Sequence, residues 1–68
     1  MKDEWELLEF NEKLSRLSVF NKITARVTHI YVANIQDVSL KQNIAIVAIK
    51  GRRILEVNLD TGLRKILA

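Results

Sequence analysis

Ile44-Ala45-Ile46-Val47-Ala48-Ile49 is followed at once by Lys50-Gly51-Arg52-Arg53. Six apolar residues in a row, four of them β-branched, read as a strand with both faces turned away from water. The cations that follow, set around a glycine suited to positive φ, read as a tight hairpin connection. A chain of 68 residues has few elements with which to cover both faces of such a strand. A domain this small buries only ~60% of the surface of its unfolded chain. Either the sheet curls around the run, or a second molecule covers what the chain leaves open.

Toward the C-terminus, Ile54 to Leu59 alternates, with Leu55, Val57 and Leu59 on one face and Glu56 and Asn58 on the other. Asp60-Thr61-Gly62 reads as a three-residue hairpin loop with glycine in the left-handed position. Leu63 to Leu67 is then a last strand, with a short helix as the competing reading, because Leu, Arg and Lys tolerate helix. Toward the N-terminus, Lys41-Gln42-Asn43 marks a turn, Ile35 to Leu40 a short strand and Ala33-Asn34 another turn. Ile23 to Thr28 alternates, and at His29-Ile30-Tyr31-Val32 the apolar residues change to even positions, which predicts a bend near Thr28 and His29. No internal repeat, linker or low-complexity segment is read.

The first residues carry a different period. Leu7, Phe10, Leu14 and Leu17 are spaced by three, four and three, the stripe of an amphipathic helix over 3–18. Asp3 and Glu6 stand at capping-box spacing, and Glu9 to Lys13 and Glu12 to Arg16 are i,i+4 pairs. The fold class expected is therefore α+β: an N-terminal amphipathic helix, then a four- or five-stranded antiparallel curved sheet or small barrel over 22–67. The whole chain is one domain. In outline this order of elements is similar to the small-barrel families, Sm-like and SH3-like, although no glycine precedes Gly51 where an Sm-like strand bends.

Composition excludes several function classes. There is no cysteine and a single histidine, His29, so a disulfide framework and a structural zinc site are both ruled out on ligand count. The carboxylates of the basic half, Asp37, Glu56 and Asp60, fall in separate segments, and no nucleophile–base arrangement is legible. No enzyme activity and no cofactor are expected. No apolar run approaches the ~18 residues of a membrane span, and the acidic start is not that of a signal peptide. A cytoplasmic protein without a membrane partner is the expectation.

Charge is divided unevenly. Residues 1–20 hold three cations against five acids, net −2, and residues 21–68 hold eight against three, net +5. The cations of the second part supply the candidate site: Lys50, Arg52 and Arg53 at the hairpin tip, supported by Arg64, Lys65 and Arg26. Lysine and arginine on turns and strand faces neutralise phosphates, so the first expectation is a small regulatory homo-oligomer that binds nucleic acid, DNA or RNA. The alternative is a protein-interaction or assembly module, an inhibitor or adaptor, docking through a sheet edge or the helix stripe. Edge-guarding and solubilising charge explains the same cations without any ligand.

Overall fold

The computed structural model describes residues 4–68, and every described element is a β-strand. In chain order they are β1 (Trp5–Asn11), β2 (Arg16–Asn21), β3 (Arg26–Tyr31), β4 (Ile35–Lys41), β5 (Ile44–Ile49), β6 (Arg53–Asn58) and β7 (Arg64–Ile66). They form two antiparallel meanders: a three-stranded sheet in the order β1-β2-β3 and a four-stranded sheet in the order β4-β5-β6-β7. The chain is all-β, not α+β, and two open sheets take the place of a single curved sheet or barrel.

The helix expected over 3–18 is replaced by β1, a hairpin loop and the start of β2. Asp3, half of the capping-box reading, lies outside the described residues. Within β1 the register with β2 slips between Leu7 and Glu9, a β-bulge. Trp5 and Leu7 share a face, and the extra residue puts Phe10, not Glu9, on that face next. An alternating strand with one inserted residue thus presents apolar side chains at helix-like spacing. The i,i+4 pairs are absent as well: Arg16 Nη2 reaches Glu9 Oε2 across the hairpin at 3.4 Å.

The bend expected near Thr28 and His29 is also absent. β3 pairs with β2 without interruption from Asn21–Arg26 to Arg16–Tyr31. The second bulge falls instead between Ile35 and Asp37 in β4. From there on, sequence and structure agree: β5 covers the quoted apolar run, and Leu55, Val57 and Leu59 are buried. The final segment is the strand β7, whose ladder is prolonged by Leu67 N–H donating to Ile54 O at 2.8 Å.

The core lies between the sheets. Trp5, Leu17 and Val19 come from the first sheet, and Val38, Ala45, Val47, Leu55 and Val57 from the second. Val32 and Ile35, on either side of the connection between sheets, close one end. β5 therefore has a cover on only one face, and that cover is a sheet rather than a helix. Its other face, Ile44, Ile46 and Ala48, is only half-buried.

Register also discloses a repeat that composition does not show. Shifting β2–β3 by 37 residues brings Asn21 onto Asn58, Thr24 onto Thr61 and Ala25 onto Gly62. The side-chain oxygen of Asn21 accepts from the N–H groups of Ile23 and Thr24 at 2.8 and 2.9 Å. That of Asn58 accepts from Asp60 and Thr61 at 2.9 and 3.1 Å. Ala25 N–H donates to Asn21 O at 2.8 Å, and Gly62 N–H to Asn58 O at 2.7 Å. Both Ala25 and Gly62 have positive φ, 60° and 80°. The preceding strands match too, since Trp5 pairs with Asn21 as Ile44 pairs with Asn58. The first sheet is thus equivalent to β5-β6-β7, with no described strand in the place of β4.

Candidate functional site

The cations singled out from sequence are all exposed, and the fold distributes them. Lys50 and Arg52 sit in the β5–β6 turn, where Gly51 and Arg52 both take positive φ, and Arg53 begins β6. Lys50 N–H donates to Asn34 O at 3.0 Å, which ties this tip to the connection between the sheets. Arg26 pairs with Asn21 and Arg64 with Val57, at the opposite end of their strands. Lys65, opposite Glu56, points to the outward face of the second sheet. The six residues form two groups, not one patch. Among the described residues the only ion pair is Arg16–Glu9, so the tip cations carry no counter-ion.

Two further features lie on the surface besides the candidate cations. One is a cleft of about 260 Å³ between the outer strands, lined by His29, Tyr31, Asn58, Leu59 and Arg64 among others. The other is the outward apolar face of the second sheet, where a shallow groove of about 150 Å³ runs between Asp37, Ser39, Ile46, Ala48 and Ile54. The unbroken apolar run was the signal for this face, but it did not say which side the rest of the chain would cover.

His29 Nδ1 lies 2.8 Å from Ser18 Oγ, directly across the β2–β3 ladder. That is the spacing of a nucleophile and its base, which also require access and an orienting partner. Ser18 is 3% exposed, and no carboxylate hydrogen-bonds the ring among the described residues. The contact satisfies a buried hydroxyl. Among the described residues no three His, Cys, Asp or Glu side chains are grouped to hold a metal ion, and no helix is long and apolar enough to cross a membrane.

Compared with known proteins, the chain matches no family model, no curated protein and no solved structure.

Proposed function

We propose that this protein is a non-enzymatic interaction and assembly module that docks through the open face of its second sheet. The observation that carries this reading is the apolar strip that runs across that face between Asp37, Lys41, Glu56 and Lys65. Ile44, Ile46 and Ala48 stand beside Ile54 and Leu67 on the side away from the core. Fully burying one such side chain contributes about 1.5–3 kcal/mol relative to leaving it in water. Several on one face make a docking surface worth more than the scattered exposed side chains of an ordinary monomer.

A second reading, phosphate binding on DNA or RNA, is favoured by the unpaired cations Lys50, Arg52 and Arg53 at one tip. A tagged chain, expressed with an untagged one and recovered with and without nuclease, separates the two. Docking through the sheet predicts a stoichiometric protein that survives nuclease and is lost in Ile54→Asp. Phosphate binding predicts nucleic acid that is retained at low salt and lost in the Arg52→Ala, Arg53→Ala double variant. Recovery of nucleic acid with no protein would overturn the first reading.

A further inference from the structure

The two sheets are repeats of one unit, yet they do not meet through the same face. In β2, Leu17, Val19 and Asn21 point into the core, and their equivalents under the 37-residue shift are Ile54, Glu56 and Asn58. Those three point away from the core, because in β6 it is Leu55 and Val57 that are buried. Trp5, Leu7 and Phe10 likewise correspond by register to Ile44, Ile46 and Ala48 on the outward face. The internal contact therefore sets the "front" of the first unit on the "back" of the second. An interface of that kind is heterologous, and it leaves one front and one back unused.

The unused front is the outward face of the second sheet, where Ile44, Ile46, Ala48, Ile54 and Leu67 form an apolar strip flanked by Asp37, Ser39, Lys41, Glu56 and Lys65. The unused back is the outward face of the first sheet, where register places Glu6, Glu9, Phe20, Val27 and Tyr31. Val27 and Tyr31 are 50% and 59% exposed. On the back Glu9 is held by Arg16 and Glu6 stands beside them, while the front sets Lys41 and Lys65 near its own Asp37 and Glu56.

We infer that a second copy of this chain stacks head to tail on the first, its first sheet covering the open face of the second sheet. This continues the interface already present between the two repeats. It rests on the reading of the protein as an assembly module and names its partner. Each added copy again exposes one front, so the stack either closes into a ring or grows as a filament. Four-stranded meanders set around an axis close at about four to eight units, which at two sheets per chain is about two to four copies.

Complementing variants test the handedness of the contact. Ile54→Asp spoils only the front, and Val27→Asp only the back; both sites are partly exposed, and circular dichroism checks that each variant folds. In sedimentation velocity across the micromolar range, the wild-type chain should assemble with concentration. Each variant alone should stay monomeric, and an equimolar mixture should give a 1:1 heterodimer that grows no further. The pair Leu67→Asp and Tyr31→Asp repeats the test at sites where a charge leaves folding intact. A monomeric mixture overturns the proposal, as does either variant assembling like the wild type. If the wild-type chain is monomeric, the second copy is refuted. If a nuclease-resistant protein still binds it and is lost in Ile54→Asp, the broader docking reading stands.

Discussion

Seven described positions adopt positive φ, and only Gly51 and Gly62 among them are glycines. Ser15, Ala25, Asn34, Gln42 and Arg52 hold the left-handed conformation with a side chain, at a cost of roughly 1 kcal/mol each. Ala25 and Gly62 are equivalent positions in the two repeats, which makes them a matched pair. A Cβ at Gly62 meets nothing within 4 Å, so its cost is conformational alone. Part of that cost is offset because alanine also restricts the unfolded chain. Gly62→Ala should lower stability by about 0.5–1 kcal/mol and Ala25→Gly should raise it by about the same, read as opposite shifts of the urea midpoint. The two asparagines that close these loops differ in weight. Asn21 is buried and also donates to Glu4 Oε2 at 2.7 Å, whereas Asn58 is half-buried and only accepts. Asn21→Ala should cost about 2–3 kcal/mol and Asn58→Ala about 1 kcal/mol in the same titration. Equal costs would show that the Glu4 contact contributes nothing.

At the scale of the element, the strand nature of the N-terminal segment has a direct test. A helix stripe would make Leu14 and Leu17 equal members of one buried face. In the structure Leu17 is fully buried in β2, while Leu14 lies in the β1–β2 loop, 52% exposed, its N–H donating to Asn11 Oδ1. Leu17→Ala should cost about 2–5 kcal/mol and Leu14→Ala less than about 0.5 kcal/mol in thermal or urea unfolding. Comparable losses at both would restore the helix. The strands expected at 35–40, 44–49 and 54–59, found at 35–41, 44–49 and 53–58, are rich in Ile and Val between Gly, Asn or Lys turns. The segment 3–18 holds no Val, Ile or Thr, so its propensity favours helix, and its bulge gives the apolar residues helical spacing. Packing against β4 and burial of Trp5, Leu17 and Val19 in the shared core override both local signals. The repeat was hidden for a related reason, because its matching residues are mainly loop asparagine and threonine while the core positions change face.

For the whole molecule, the question is how much of its surface remains open. Val47 is wholly enclosed between the sheets, whereas Ile46, its neighbour in β5, faces outward. Val47→Asp should abolish the folded amide spectrum, since a carboxylate there has neither water nor partner. Ile46→Asp should leave a folded chain that no longer assembles. Of the candidate cations, the Asp60 hairpin already set Arg64 and Lys65 toward the opposite end of the sheet from Arg52 and Arg53, while the place of Arg26 followed only from the register of β3. By itself the sequence determined the central strand, its hairpin tip and the meander on either side of it, because β-branched runs and turn residues are local signals. Only the tertiary structure decided that the first segment is a sheet, and which face of β5 it covers. Those choices depend on an inserted residue and on contacts between segments far apart in the chain, which no local period encodes.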